Sequence, residues 1–351
     1  MTVFYILVAI LFFGILILAH EFGHFITAKL SGVQVNEFAL FMGPAIWKKQ
    51  KGETLYSLRC IPIGGYCAME GEDEGSDNPR AFGNAKVWKR LIILVAGATM
   101  NFIVGFLMML IFVSIYFQNI VPTAVINDIQ EGRPFAQQLQ VGDEFYSING
   151  RRVFVSGDVG LLLDRQADGI HDLVVIRNGE KVELENVTMK RELVAEDGSL
   201  LYGLSFLYEE ANFGNRLEYT WNESLNVGRL VWMSLSDLVT GRESVENVSG
   251  IVGVVDIVAD VGVQSKTVGI GLLNVLYFFA MISINLGVMN LLPIPALDGG
   301  RVVCLLVTSA AEKLLGRKID PKYEGYLNGF FMILLIGLML LVTFKDVWNL
   351  F

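Results

Sequence analysis

The stretch "ILILAHEFGHFITAKL", residues 15–30, sets two histidines and a glutamate inside an apolar run. Between Val3 and Ile26 the only acidic, basic or imidazole side chains are His20, Glu21 and His24. Twenty or so apolar residues in helical form cross a hydrocarbon core of about 30 Å. A polar or charged group at such a depth is costly and marks a functional site by default. His20 and His24 are four apart, which places both imidazoles on one face of a helix with Glu21 beside them. This is the HExxH arrangement, in which two neutral imidazoles hold zinc and the carboxylate is general base to the hydrolytic water. In a soluble helix the same letters often just face water, an explanation that a lipid-embedded helix does not allow.

The rest of the chain fits a membrane protein. Of 351 residues, 53% are hydrophobic and 18% charged, a balance too apolar for an ordinary soluble domain. Four segments are long enough to span: 3–28, 91–117, 269–292 and 327–344. The first reads as a retained span, since it lacks a basic leader region and a small-residue cleavage site. Nine Lys and Arg lie between spans one and two, and five between spans three and four. That bias predicts both loops to be cytoplasmic, with both termini and the segment between spans two and three outside. The outer segment carries most of the −9 net charge: residues 118–220 hold nine basic and seventeen acidic side chains. No clustered basic face suggests a nucleic-acid partner. Cys60, Cys67 and Cys304 fall on the membrane or cytoplasmic side, so no disulfide framework is expected. Cys60 and Cys67, seven apart with no partner pair, read as small buried residues rather than as thiol ligands.

Between spans two and three, "TAVINDI", "DEFYSING", "DLVVIRNG" and "KVELENVTM" read as strands bounded by Gly and Asn-Gly turns, with helix-like spacing in "VSGDVGLLLDRQADG". His171 reads as a surface residue at a strand start. Further on, Trp221 and Trp232 mark an amphipathic helix, lying either at the membrane interface or against the preceding domain.

A zinc site of this kind needs a third protein ligand. The best candidate lies in "MNLLPIPALDGGR", 289–301, where Pro293 and Pro295 break the helix and Gly299-Gly300 loosens the chain. Broken backbone at membrane depth is tolerated where it is buried or lines a wet cavity. Asp298 is the sole carboxylate between Asp260 and Glu312. It reads equally as a ligand or as an N-cap of the next helix.

HEFGH in the first span with "NLLPIPALDGG" near the end of the third resembles the site-2 protease family of intramembrane zinc metalloproteases. Within it the chain is similar to the bacterial RseP type, with four spans and PDZ modules between the second and third. "IPIGGYCAM" (61–69) is similar to the family's membrane-associated β-hairpin, and "GATMN" (97–101) to its second span. The segment 120–190, with Val141-Gly142-Asp143 and Ile148-Asn149-Gly150, resembles a PDZ domain. There is room for one such module where RseP has two, and Ile251 in "VSGIVGV" (248–254) stands where relatives commonly carry proline. The resemblance implies one Zn2+ held by His20, His24 and Asp298, with Glu21 as base and Asn290 contacting the substrate backbone or an oxyanion; by itself Asn290 reads nearly as well as an interhelical hydrogen bond. It implies cleavage of single-span membrane proteins, with Gly64-Gly65 in the hairpin holding the unwound segment and the PDZ-like domain filtering substrates already trimmed outside. Regulated cleavage of an anti-sigma factor and removal of leftover signal peptides both fit.

The expected architecture is a polytopic α-helical membrane protein of the bacterial inner membrane, with an inserted extracytoplasmic PDZ-like α+β domain. It divides into 1–117 (spans one and two with the hairpin), 118–195 (PDZ-like), 196–265 (linker with the amphipathic helix) and 266–351 (spans three and four). Two rivals come from other classes. An intramembrane ion path would need polar residues spaced along spans two and four, which offer almost none: Asn101 and Ser114 in one, Asn328 and Thr343 at the ends of the other. A membrane adaptor using the PDZ-like module alone would have no reason to retain costly buried groups.

Overall fold

In a computed structural model of the chain, residues 2–72, 76–191, 193–194, 200–242, 251–316 and 322–349 are described. Residues 248–250 of "VSGIVGV", and Arg317 and Lys318 of the second basic loop, lie outside them. The chain forms two compact units: residues 1–109 with 230–351, and residues 110–229.

Among the described residues, four helices are long and apolar enough to cross a membrane: α1 (Thr2–Ser31), α2 (Val87–Tyr116), α6 (Val268–Asn290) and the apolar part of α8 (Lys322–Asn349). Where no water can hydrogen-bond the backbone, a helix is the one local way to pair every N–H and C=O. Glycines set the closest approaches, as expected where helices lack a hydrophobic drive to associate in lipid. A Cβ on Gly23 of α1 would lie 2.4 Å from the Ala96 carbonyl oxygen of α2. One on Gly287 of α6 would lie 2.9 Å from the Ala98 carbonyl oxygen.

Between α4 (Phe213–Val239) and α6 lies α5 (Ile251–Val263), within the stretch read from sequence as linker. It packs on α1: Val258 is buried with Tyr5, Ala9, Leu16, Val275 and Phe279, and Gly262 leaves room for the Tyr5 ring. At 13 residues, it is too short to span the core alone, and for that reason no hydropathy window marks it. The short helix α7 (Asp298–Leu315) follows α6 after a proline-containing loop.

The hairpin forms from β1 (Val35–Lys51) and β2 (Thr54–Met69). Val35–Leu40 is flanked on one side by Gly65–Met69 and on the other by Leu55–Leu58, while Trp47–Lys51 returns against Thr54–Leu58. Glu53, at its tip, is bridged by Lys29 at the end of α1 and by Arg80, both at 2.6 Å. The two cations hold its carboxyl down to about 2.

The second unit contains an antiparallel sheet ordered β10-β3-β4-β6-β7. Its strands are β3 (Ile120–Ile129), β4 (Glu144–Ile148), β6 (Ile170–Arg177), β7 (Glu180–Thr188) and β10 (Leu204–Glu210). The short β5 (Arg151–Arg152) pairs with β4, and β8 (Leu193–Val194) pairs with β9 (Leu200–Leu201). Helix α3 (Ser156–Leu163) forms within the segment of helix-like spacing. Asn149-Gly150 and Asn178-Gly179 all take positive φ, the conformation that two-residue hairpin turns require. Strand β10 pairs with β3 and lies beyond residue 195, so the sheet runs past the 118–195 boundary expected from sequence. A strand that joins a sheet out of chain order leaves no local signal of its partner. The buried Asp143 accepts two hydrogen bonds of 2.7 Å from Arg177. Arg229 of α4 bridges the buried Asp158 of α3 at 2.8 Å, so the first part of α4 packs into this unit. Trp221 and Trp232 are exposed.

Two readings need correction. His171 is buried at 1% exposure, not at the surface, because the alternation of β6 turns it inward with Leu173 and Val175. Burial holds its imidazole below the usual range. Cys60 is exposed, unlike the buried Cys67, and all three cysteines are free.

Candidate metal centre

Three atoms converge between α1 and the start of α7. His20 Nε2 and His24 Nε2 are 3.3 Å apart, and Asp298 Oδ2 lies 3.4 Å from each. These edges are too long for charge-assisted hydrogen bonds, which run about 2.7–2.9 Å. Accordingly Asp298 Oδ2 is buried without a hydrogen-bond partner among the described residues. The near-equilateral triangle has another meaning. A tetrahedral ion with ligand bonds of about 2.0–2.1 Å places neighbouring donor atoms about 3.3–3.4 Å apart. The orphaned oxygen and the edge lengths fit three ligands of one such ion.

Each of the three side chains is aimed by its own element. His24 Nδ1 donates to the Ile93 carbonyl oxygen of α2 at 2.8 Å, which fixes the proton on Nδ1 and leaves the Nε2 lone pair free. The amides of Asn101 (α2) and Asn290 (the last residue of α6) lie 3.3 and 3.4 Å from His20 Nδ1. Asn290, read from sequence as a substrate contact, thus also makes an interhelical contact to a histidine. A Cβ on Gly97 would lie 2.3 Å from His24 Nε2 and 2.8 Å from His20 Cε1. Glycine is therefore required there to admit the imidazoles. Ile93, Gly97 and Asn101 are spaced by four, so one stripe of α2 backs the whole pair.

The loop before Asp298 bears on the choice between ligand and cap. Leu297, not Asp298, occupies the N-cap of α7, and the Asp298 carboxylate faces the histidines. The double glycine does not loosen the chain. Both residues are helical, and a Cβ on Gly299 or Gly300 would lie 2.3 Å from the Leu291 carbonyl or 2.2 Å from the Ile294 carbonyl oxygen. The broken segment lies directly on the first turn of α7, and only glycine leaves room for it.

Glu21 stands outside the triangle, facing the hairpin. Its carboxyl is near the Cys67 backbone amide, and a Cβ on Gly65 would lie 3.0 Å from Glu21 Cγ and 2.9 Å from Ile17 Cγ2. Gly64 has φ +67, a left-handed conformation that favours glycine. Both glycines thus have structural reasons apart from any substrate. Gly65→Val should force the strand off α1 and lower peptidase turnover by about a hundredfold, the scale of an ångström-sized misplacement, with bound metal unchanged. Turnover measured beside metal content checks this; unaltered turnover would remove the contact from the mechanism.

Sequence comparison agrees with this arrangement. Residues 8–338 match the model of peptidase family M50. The chain belongs to peptidase family M50, the site-2 protease family. It is 36% identical to a provisionally named zinc metalloprotease of Clostridium acetobutylicum, over 99% of this chain and 98% of that protein. It is 34% identical to another from Fusobacterium nucleatum, over 98% and 99%. The regulator of sigma-W protease RasP of Bacillus subtilis is 27% identical, over 97% and 98%. Membership makes this chain a peptidase, and the resemblance drawn from HEFGH and NLLPIPALDGG holds over nearly its full length.

Reasoning from sequence brought His20, His24 and Asp298 together correctly in space. It missed the Ile93 carbonyl, since a backbone acceptor has no letter of its own. Gly97 entered only through family likeness, and Asn101 otherwise only as a stray polar residue of span two, although a small and a polar residue four apart in an apolar helix are a readable signal.

Proposed function

We propose that the M50 peptidase described here is an intramembrane zinc endopeptidase acting on single-span membrane proteins. His20, His24 and Asp298 hold one zinc ion, and the observation that carries this is their 3.3–3.4 Å triangle. Zinc supplies Lewis-acid polarisation of the scissile carbonyl and makes water acidic enough to attack at neutral pH. Glu21 accepts the proton of the attacking water and returns it to the leaving amine. Asn290, at the open end of α6, orients the substrate carbonyl with its amide.

A helical substrate hides its carbonyls in its own hydrogen bonds, so it must unwind before attack. The hairpin segment Gly65–Met69 pairs on one side with β1, and its other edge offers backbone groups beside Glu21. We assign that edge to holding the unwound substrate extended. Both termini and the 110–229 unit face outside, in keeping with the basic loops. The PDZ-like part of that unit admits substrates already shortened by another protease. Membrane-anchored regulators such as anti-sigma factors, and leftover signal peptides, are the fitting substrate classes.

Cleavage of a model single-span protein in detergent or vesicles tests this reading: intact protein should cut it, and a chelator should stop the reaction. No cleavage of any such substrate by zinc-loaded protein would defeat it. The filter has its own test. Ala211 N–H donates to the Asn119 carbonyl at 2.7 Å, so the chain enters and leaves the sheet at adjacent points. Excising 120–210 and rejoining there should let untrimmed substrates be cut, and persisting selectivity would refute the filter.

A further inference from the structure

The loop that delivers Asp298 contains an unusual residue. Ala296 has φ +77, a left-handed conformation that a Cβ makes unfavourable. Four other non-glycine residues take positive φ in the described chain: Phe41, Asn149, Asn178 and Asn186. Three of them are asparagines, the residue type that tolerates this region. Ala296 has no such excuse, and it lies two residues before the carboxylate of the metal centre. Strain of this kind persists only where the surroundings hold it in place.

What holds it is visible on both sides. Beneath the loop, α7 begins with Gly299-Gly300, whose missing side chains let the Leu291–Pro295 backbone settle onto the helix. Above it, the Ala296 N–H donates to the side-chain oxygen of Asn328 in α8 at 3.2 Å. Asn328 lies near the start of the spanning part of α8, which is mostly apolar and little buried. A partly buried backbone N–H that lacks an acceptor costs about as much as a lost hydrogen bond. One side chain of the last span therefore meets the backbone need of the strained residue.

We propose that Asn328 is a positioning residue of the metal centre. It holds Ala296 in its left-handed conformation and so fixes Asp298 against His20 and His24. The last span thereby becomes part of the site without supplying a ligand. The inference rests on the zinc assignment made above, and it concerns how tightly the third ligand is held. Loss of Asn328 should let Ala296 relax to negative φ, turning the chain at Leu297 and withdrawing Asp298 Oδ2 from the triangle.

The test is zinc affinity of the full-length detergent-solubilised protein, measured by competition with a chromophoric chelator. Wild type, Asn328→Leu, Ala296→Gly and the double variant are compared, with thermal unfolding of each as control. Asn328→Leu should bind zinc about tenfold or more weakly, within the 10–100-fold range typical of lost ligand-orienting contacts. Ala296→Gly should bind like wild type, because glycine takes φ +77 at little cost. In the double variant it should restore most of the loss, although it supplies neither a zinc ligand nor a new acceptor for the residue-296 N–H. Equal affinity of Asn328→Leu and wild type would overturn the proposal, as would a loss that Ala296→Gly fails to reverse. Wild type that takes up no zinc would overturn the metal assignment itself, a result distinguishable from either.

Discussion

Glu21→Gln should abolish measurable peptide hydrolysis, by about 10²–10⁴-fold, while zinc content stays at the wild-type level. The substitution keeps the shape of the side chain and removes its capacity to accept a proton. Glu21 is not one of the three groups whose donor atoms cluster, so its neutralisation leaves the ligand set intact. Its carboxyl instead faces the hairpin beside Gly65 and the Cys67 amide, where a substrate strand would pass. A general base must be within hydrogen-bond reach of the proton it takes, and a position between ligands and strand meets that requirement. Cleavage of a single-span reporter, with zinc measured on the same preparation, checks both halves. Retained hydrolysis would remove Glu21 from the chemistry, and lost zinc would make it a ligand instead.

The second large effect is expected at Asp298. Asp298→Ala should lower zinc affinity on the order of a thousandfold, because a structural share of the binding energy goes with each ligand lost. Hydrolysis should vanish with the metal. The oxygen is buried and lacks a hydrogen-bond partner among the described residues, and its 3.4 Å contacts run to His20 and His24, so its removal disturbs the metal centre rather than a helix cap. Leu297, not Asp298, occupies the N-cap of α7. Folding should therefore survive, and thermal unfolding of the variant without metal should match that of the metal-free wild type. A variant that kept full zinc affinity would return Asp298 to the role of a helix-start residue. Chelator competition separates these outcomes.

How much of this was legible in the sequence follows from what kind of signal each feature leaves. The four spans are readable because lipid imposes one pattern, a long apolar run, on each of them independently. The same pressure exposes His20, Glu21 and His24: at membrane depth, polarity is conspicuous. Asp298 was harder, since Leu297-Asp298-Gly299 reads equally well as a cap. Only the three-dimensional placement of α7 under the proline loop separates the alternatives. Gly299-Gly300 was misread as looseness because a glycine's letter is the same for freedom and for close approach. Helix α5 and strand β10 went unread for a shared reason. Each is defined by a partner distant in sequence, Tyr5 in one case and β3 in the other, and neither is long enough to announce itself alone. His171 fell to a short-range ambiguity, since a single residue at a strand start can face either way. The contacts around the site from Ile93, Gly97 and Asn328 come from elements that carry no catalytic letters.

The most direct measurement of the central claim is X-ray absorption at the zinc edge of purified full-length protein, with metal stoichiometry. One zinc per chain is expected, with two imidazoles and carboxylate or water oxygen at about 2.0–2.1 Å and no sulfur. In Asp298→Ala the signal should fall away with the metal. A zinc–sulfur shell at about 2.3 Å, which would bring in Cys67 beside Glu21, or a protein that takes up no zinc, would contradict the account.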